Sequence, residues 1–293
     1  MRLNNIEKTL GKVRELPTLP VIAHNIQRLL GDPRSSAQDL AEIIEKDQSI
    51  TAKVLKLVNS AAWALPEKVT NIAQAISLLG YRSISHMVTT LAVFDSLQKM
   101  GRGSFDRRAF WIHSIASAVA SRKIAERTKL AEAEDAFTAG LLHDLGKVFM
   151  DGFLNDDFTS VLRTAEDRGI SFLEAEHLLL EVDHAVIGEW ISRAWQLPLF
   201  IVATVKHHHQ EPEERRGFVN SDDAIVDIVR AADVAVRAAH HGKNGDGRAH
   251  TPALTPEMLK RLPLSVQDFP GLLKDIGGEI EKAAGFLSFA MGY

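Results

Sequence analysis

A histidine and an aspartate stand side by side in the apolar segment AGLLHDLGKVFMD, residues 139–151. Imidazole nitrogens and carboxylate oxygens bind metal ions, and burying either group without a partner is costly. His143 and Asp144 are therefore a candidate metal-binding pair. A single histidine on an apolar helix face is more often a hydrogen-bonded core residue, so the doublet needs support from the rest of the chain.

Four other segments place metal-capable side chains among apolar residues at helical spacing. These side chains are His113, His184, the consecutive His207, His208 and His209, and Asp233. Pro198 can open a helix whose last turn carries the three adjacent histidines. Asp233 lies between alanine and valine, and a carboxylate buried there needs a cation.

Each of these residues also has an ordinary structural interpretation. Asp183 and His184 can cap a helix, and a histidine triplet suits a solvated helix C-terminus. Asp233 can pair with Arg230 or Arg237 on its own helix. In chain order, however, His, His-Asp, His, His-His and Asp on five helices match the way a helical bundle gathers ligands around a central metal.

The donor types limit which metal this arrangement can hold. The chain has no cysteine, so every ligand must be nitrogen or oxygen. Seven such side chains exceed one tetrahedral zinc and suit one six-coordinate ion or two ions bridged by Asp144. Imidazole with carboxylate favours iron, manganese, nickel or zinc over calcium.

The elements that carry these residues are predicted to be helices. The ten prolines leave residues 67–197 free of helix breakers, and apolar residues recur at helical rather than alternating spacing. Helix starts are predicted at Ser35, with Gln38 as a capping box, at Ser49 and at Ser221, and helix ends at Gly80 and Gly242. We expect an all-α protein of about a dozen helices.

The chain is expected to form one unit over residues 1–293. An N-terminal helical part covers residues 13–100, and a metal-binding part covers 105–240. A loop rich in glycine and proline follows at 240–256, and residues 257–293 are expected to form a docked helical extension because their apolar residues need burial.

The net charge and the apolar pattern exclude several classes of protein. A formal charge of −4 and a pI near 6.3 argue against a general polyanion binder. The N-terminus MRLNNIEKTLGK has no apolar signal core, and no run approaches the roughly 18 apolar residues of a membrane span. We expect a cytoplasmic protein.

The order of the metal-capable residues resembles the HD superfamily of metal-dependent phosphohydrolases. There the His-Asp doublet, which His143 and Asp144 match, binds metal. Adjacent histidines close the corresponding motif, which implies His208 and His209, although spacing leaves His207 open. The resemblance implies a centre made by His113, His143, Asp144, His184, His208, His209 and Asp233.

Lys147 matches a lysine that lies near the metal site in that superfamily. On a helix it shares a face with both members of the doublet, four residues from His143 and three from Asp144. Its ammonium could bind a phosphate oxygen, or it could be a surface lysine that extends into solvent. Asp144 and Lys147 are the candidate catalytic residues.

The first half of the chain resembles the HDOD family, the HD-related output domains of bacterial signalling. The segments that carry the resemblance are LPTLP, LAEIIEKDQSITAKVLKLVNSAAW and NIAQAISLLG, and with the His-Asp region it covers about residues 13–240. The family implies an N-terminal bundle and an HD-like part at 105–240. Many members have lost metal positions, whereas this chain keeps every ligand type.

The resemblance leaves two functions open. One is a signal-transduction output module with a signalling protein as partner; the other is a phosphohydrolase acting on a nucleotide or phosphodiester. Signalling comes first because no motif beyond the ligands specifies a substrate. The related cyclic-di-GMP phosphodiesterases carry a GYP signature, whereas this chain continues QEPEERRG after the histidines, which disfavours that activity.

Two other features of the sequence are candidate contacts with an anion, and the first of them argues against DNA binding. The segment TNIAQAISLLGYRSISHMVTTLAV has the outline of a helix-turn-helix, but its second helix offers His86 and no arginine or lysine, which favours a core αα-hairpin over DNA binding. Basic residues cluster at Arg102, Arg107 and Arg108 and at Arg122, Lys123, Arg127 and Lys129. The first cluster precedes His113 and could draw an anionic ligand toward the metal.

Overall fold

The computed structural model describes residues 18–59, 65, 67–98, 105–215, 220–248, 250, 253–274 and 276–280. All regular structure in these ranges is helical, which confirms the predicted all-α class. The described residues divide into two compact units, one of residues 18–98 with 278–280 and the other of residues 105–277, which are called below the units at 17–99 and 100–277. A single HDOD-type unit over 1–293, with a docked extension at 257–293, stays a prediction.

The unit at residues 17–99 is built from five described helices around one hydrophobic core. They are α1 (Val21–Gly31), α2 (Ala37–Glu45), α3 (Gln48–Val58), α4 (Ile72–Leu79) and α5 (Tyr81–Gln98). Fully buried side chains from all five, including Ile26, Leu40, Val54, Ile72 and Ile84, form the core.

Two predicted helix starts in this unit are wrong by one or two residues. Ser36, not Ser35, forms the capping box of α2, with Asp39 as its partner. The hydroxyl of Ser35 instead donates to the carbonyl of Leu29 at 2.7 Å and so fastens the loop before α2. Asp47, not Ser49, caps α3 by accepting from the backbone N–H of Ile50.

The predicted stop at Gly80 and the αα-hairpin that surrounds it are present. Gly80 has φ +88°, a conformation that glycine adopts without strain, and it separates α4 from α5. The candidate recognition segment on α5 contributes Ile84, Val88 and Leu91 to the hydrophobic core, and His86 is buried as well. Its side chains are therefore not free to enter a DNA groove.

The unit at residues 100–277 holds the metal-capable residues. Its described helices are α6 (Arg107–Thr128), α7 (Ala133–Leu142), α8 (Leu145–Phe153), α9 (Asn155–Arg168), α10 (Phe172–Leu179), α11 (His184–Ala194), α12 (Leu199–His207), α13 (Asn220–Ala238) and the short α14 (Phe269–Leu273). Helix α6 packs against α7 and α13, and α11 packs against α8 and α12. These contacts bring together helix ends that are distant in sequence.

The helix bounds differ from the sequence prediction at α13. The described part of this helix begins at Asn220, so Ser221 lies inside it rather than before it, and its side chain lies outside the described residues. The helix ends at Ala238, four residues before the predicted stop at Gly242. No helix in the described ranges is long and apolar enough to span a membrane.

Candidate metal centre

The structure brings all seven residues of the predicted ligand set together in the interior of the second unit. They form two groups, Asp144, His184, His208 and His209 in the first and His113, His143 and Asp233 in the second, and within each group the ligand atoms lie within 4.8 Å of one another. Six of the seven are at most 2% exposed. The groups therefore meet the first requirement of a metal site, convergent donors shielded from water.

The distances inside the groups match the edges of a coordination polyhedron. His184 Nε2 and His208 Nε2 lie 3.1 and 3.4 Å from Asp144 Oδ1. In the second group, His113 Nε2 lies 3.1 Å and His143 Nε2 3.7 Å from Asp233 Oδ1, so one edge of this group is a few tenths of an ångström too long. Ligands held at about 2.1 Å from one ion are separated by about 3.0 Å in octahedral and 3.4 Å in tetrahedral geometry. The distances from Asp144 therefore suit one ion in the first group, whereas His143 must move closer to Asp233 for one ion to bind both in the second.

The donor atoms of the two groups have no other partner. Among the described residues, nothing hydrogen-bonds Nε2 of His113, His143 and His208 or Oδ1 of Asp144 and Asp233, and all five atoms are buried. Unsatisfied buried polar atoms are costly, and five of them around a shared space are rare by chance. A cation in this space would satisfy them together, so the residues fit a metal.

Hydrogen bonds at the opposite ring nitrogen orient three of the imidazoles. His143 Nδ1 donates to the carbonyl of Gly140 at 2.7 Å, and His208 Nδ1 donates to that of Val205 at 3.0 Å. His184 Nδ1 donates to the carboxylate of Glu176 at 2.6 Å. Each bond fixes the tautomer that leaves Nε2 free to ligate, which is the usual arrangement around metal-binding histidines.

Glu176 is a member of the site that was not predicted from the sequence. This residue on α10 is fully buried, and its carboxylate also accepts from the backbone N–H of His184 at 2.8 Å. The available signal was its place on the same helix face as Phe172 and Ala175, where a carboxylate needs a partner. Its partner follows eight residues later, across a loop, so helix periodicity alone could not identify it.

Two glycines, Gly146 and Gly188, let helices α8 and α11 approach closely. A Cβ at Gly146 on α8 would lie 2.0 Å from the carbonyl oxygen of His184, the first residue of α11. Gly188, one turn along α11, faces the same point of α8. Because neither residue has a side chain, the backbone that carries Asp144 lies directly beside the backbone that carries His184.

A family model for the HDOD domain matches residues 16–211, two thirds of the chain. The chain belongs to the HDOD domain family. An HDOD protein of unknown function from Geobacter sulfurreducens has a similar crystal structure, with a TM-score of 0.80 and 29% identity, and the match covers 97% of both chains. The fold and the family expected from the sequence are thereby confirmed.

Two further relatives extend the comparison. A crystal structure of a candidate signal transduction protein from Marinobacter aquaeolei VT8 matches with a TM-score of 0.71 and 23% identity over 97% of this chain and 61% of that one. An uncharacterized protein of Treponema pallidum (strain Nichols) is 24% identical over 214 residues, 72% of this chain. The chain spans only 41% of the length of that relative.

In this HDOD protein, one buried cation lies beside each of the two candidate ligand carboxylates. Lys147 Nζ lies 2.7 Å from Asp144 Oδ2, and the lysine is 1% exposed, so the alternative of a surface lysine is wrong. Arg237 donates to Asp233 Oδ2 at 2.8 Å. Each carboxylate thus binds an internal cation through Oδ2 and presents Oδ1 to its group. Arg230, the other partner considered for Asp233, pairs with Glu211.

Burial and neighbouring charges shift the pKa values of side chains in the candidate metal centre in opposite directions. Burial raises the pKa of Asp144, but Lys147 and His143 outweigh it and hold that pKa well below its usual value. Burial lowers the pKa of His143, whereas Asp144 and Asp233 raise it to about 10. For His208 burial prevails and lowers the pKa to about 4. The surroundings therefore favour the protonated imidazole at His143 and the neutral imidazole at His208.

The remaining candidates from the sequence lie outside the centre. His207 is buried, but its Nδ1 contacts the side chain of Gln210, and it belongs to neither group of donors. Arg107 pairs with the buried carboxylate of Asp151 at 2.7 Å, and Arg122 stacks on the ring of Phe137, while Arg102 lies outside the described residues. Arg107 is therefore already neutralised by a carboxylate outside the centre.

Two cavities reach the centre of this HDOD protein from the side of the loop after α13. One has a volume of about 260 Å³ and is lined by Lys147, His209 and Arg237, together with Asp246 and other residues. The second, of about 530 Å³, reaches His113 and is lined mostly by residues 240–248. A small solute can therefore approach both groups of candidate ligands.

Proposed function

We propose that this HDOD protein is a bacterial signal-transduction output module whose second unit binds a divalent transition metal. The observation that carries the proposal is the set of five buried donor atoms, two carboxylate oxygens and three imidazole nitrogens, that lack any hydrogen-bond partner among the described residues. Membership of the HDOD family supports the signalling role, as does the description of the Marinobacter relative as a candidate signal transduction protein.

One or two ions would be held by the seven clustered side chains. Asp144, His184, His208 and His209 would hold one ion, and His113, His143 and Asp233 would hold the other or complete the shell of the first. Five imidazoles with two carboxylates favour iron, manganese, nickel or zinc. Glu176 would support the first group by fixing the ring of His184.

The partner in signalling would be another protein, which meets the helices of the unit at residues 17–99. The upstream signal would be a ligand that enters through the cavities, with a nucleotide or phosphate as the leading class because Lys147 and Arg237 line the smaller cavity. A cytoplasmic location fits such a role.

A metal-dependent phosphohydrolase is the second candidate function. Its supporting observation is the buried Lys147, whose ammonium lies both on Asp144 and on the wall of a cavity that a substrate can enter. A divalent ion would supply Lewis acidity toward a phosphoryl oxygen. Lys147 would bind a second phosphoryl oxygen, and Asp144 would hold the ion and keep the lysine charged.

The metal content of protein purified without a histidine tag tests the main proposal. We expect a substantial fraction of one transition metal ion per chain, and we expect His143→Ala and Asp144→Ala to lose it while the helical circular dichroism remains. His177→Ala is the control, because His177 is exposed and pairs with the capping carboxylate of Asp183 rather than with a candidate ligand. Unchanged metal content in both variants would refute the proposal.

Turnover separates the two functions. The metal-loaded chain is incubated with nucleotides, cyclic dinucleotides and a generic phosphodiester. Metal binding without hydrolysis of any of them supports the output module. Hydrolysis that disappears in Asp144→Ala, with His177→Ala fully active, would instead assign the protein to the phosphohydrolases.

A further inference from the structure

His209 is a candidate ligand whose imidazole lacks the hydrogen bond that orients the other two histidines of the first group. In that group, Nδ1 of His184 and Nδ1 of His208 each donate to an oxygen atom. The described residues form no such bond with Nδ1 of His209, whose ring contacts His184 through Nε2 at 3.0 Å. The residue also lies beyond α12, which ends at His207. The place of the His209 ring therefore depends on the backbone of the turn that follows α12.

The side chain of Arg215 holds the backbone of that turn. Its Nε and Nη2 donate to the carbonyl oxygen of Gln210 at 3.1 and 2.9 Å. The backbone N–H of Gln210 donates in turn to the carbonyl oxygen of His207 at 2.9 Å. The two peptide units that flank the Cα of Gln210 are thus both held, and the first of them joins Gln210 to His209. Because a peptide unit is planar, this restraint extends to the backbone of His209.

The guanidinium of Arg215 is itself fixed by a buried carboxylate. Its Nη1 donates to Asp227 Oδ1 on α13 at 2.6 Å, and the side chains of Arg215 and Asp227 are 1% and 4% exposed. The other oxygen of Asp227 lies 3.0 Å from Nε of Arg261. A buried ion pair contributes little net stability compared with apolar side chains of similar volume, because both ions lose their hydration. A guanidinium that binds a carboxylate and a carbonyl together nevertheless fixes their relative position, since its N–H groups form a rigid planar fork.

We propose that Arg215, anchored by Asp227, is a positioning residue that holds His209 in place for metal binding through the carbonyl of Gln210. The inference rests on the proposed metal centre and names the residue on which the contribution of His209 depends. Helix α13 then serves both groups of candidate ligands. It carries Asp233 of the second group, and through Asp227 it fixes the turn that carries His209 of the first.

The affinity of the full chain for cobalt(II), measured by chelator competition, tests the role of Arg215. Arg215→Lys keeps a positive charge beside Asp227 but loses the planar fork that binds carboxylate and carbonyl together, so the affinity should fall about tenfold. Arg230→Lys is the matched control and should bind cobalt like the wild type, because Arg230 is also on α13 and pairs with the side chain of Glu211 rather than with the backbone of the turn. Equal affinity of Arg215→Lys and wild type overturns the inference. A wild-type chain that binds no cobalt refutes the metal centre itself, which is a different result.

A double-mutant cycle separates positioning of His209 from a general loss of structure. In a His209→Ala chain the positioned ligand is gone, so Arg215→Lys should cause no further loss of cobalt affinity. The visible absorption of cobalt, which changes with its coordination, should shift in Arg215→Lys toward the spectrum of His209→Ala. A loss of affinity that is equally large with and without His209 contradicts the role given to Arg215. If Arg215→Lys does not fold, Asp227→Asn replaces it in the same cycle, because it weakens the anchor of the guanidinium and keeps the shape of the side chain.

Discussion

The closest backbone approach at the site predicts that Gly146→Ala destabilises the protein and weakens metal binding together. The new Cβ would lie 2.0 Å from the carbonyl oxygen of His184 and 3.0 Å from the backbone nitrogen of Gly188. Both neighbours are backbone atoms of α11, so no side chain can rotate away. Helices α8 and α11 must separate by about 1 Å to restore an ordinary contact.

The size of the effect follows from two opposing contributions. Alanine is favoured over glycine inside a helix by about 1 kcal/mol. Overpacking against a rigid neighbour costs about 3 kcal/mol. The net loss of about 2 kcal/mol corresponds to a fall in melting temperature of roughly 4–8 °C for a unit of this size. Because the separation also moves Asp144 away from His184, the affinity for metal should fall as well.

Thermal unfolding of metal-free protein measures the first effect, and a chelator competition measures the second. Gly271→Ala is the control, since a Cβ at Gly271 on α14 would meet nothing within 4 Å and should be neutral or slightly stabilising. A Gly146→Ala protein that melts at or above the temperature of the wild type, and binds metal equally well, would refute the argument.

Three further predictions follow from the same geometry. Glu176→Gln should lower the pH-independent metal affinity roughly 10–100-fold in a chelator competition. Glu181→Gln is the control and should leave the affinity unchanged, because Glu181 is exposed. Metal uptake should release protons, and the affinity for metal should rise as the pH rises from neutrality toward 9. Burial lowers the pKa of His143 and His184, but nearby carboxylates raise the two values to about 10 and about 9, and both imidazoles must be neutral to bind a metal. An affinity that does not change over this pH range would contradict the prediction. Ser36→Ala should cost about 1 kcal/mol in denaturant unfolding through loss of the α2 cap.

The sequence was most informative where residue type alone limits what can be buried. A histidine or an aspartate in an apolar helix needs a partner, and this requirement selected the residues that the structure brings together at the centre. Their role as ligands stays a prediction. Helix positions were predictable to the extent that proline and glycine mark their ends, as at Gly80.

The sequence was less informative where two adjacent residues can do the same work. Ser35 and Ser36 are both good caps, and the choice depends on the carbonyl of Leu29, which only the folded loop places beside Ser35. Lys147 shows a second limit, which is that a partner can come from another helix. The ring of Phe172 covers Lys147 in the structure, with its centre 5.1 Å from the ammonium. Local pattern cannot predict a partner that tertiary packing supplies.

Asp233 shows why competing interpretations of one residue need not exclude each other. From the sequence, a pairing with Arg237 and a place in a metal site were alternatives, because each would account for a buried carboxylate. In the structure Oδ2 binds the guanidinium at 2.8 Å, while Oδ1 lies 3.1 Å from His113 Nε2 and has no hydrogen bond. Asp144 divides its two oxygens in the same way between Lys147 and the imidazoles. A carboxylate has two acceptors, so the cation that stabilises it in the core also fixes which oxygen is left for an ion.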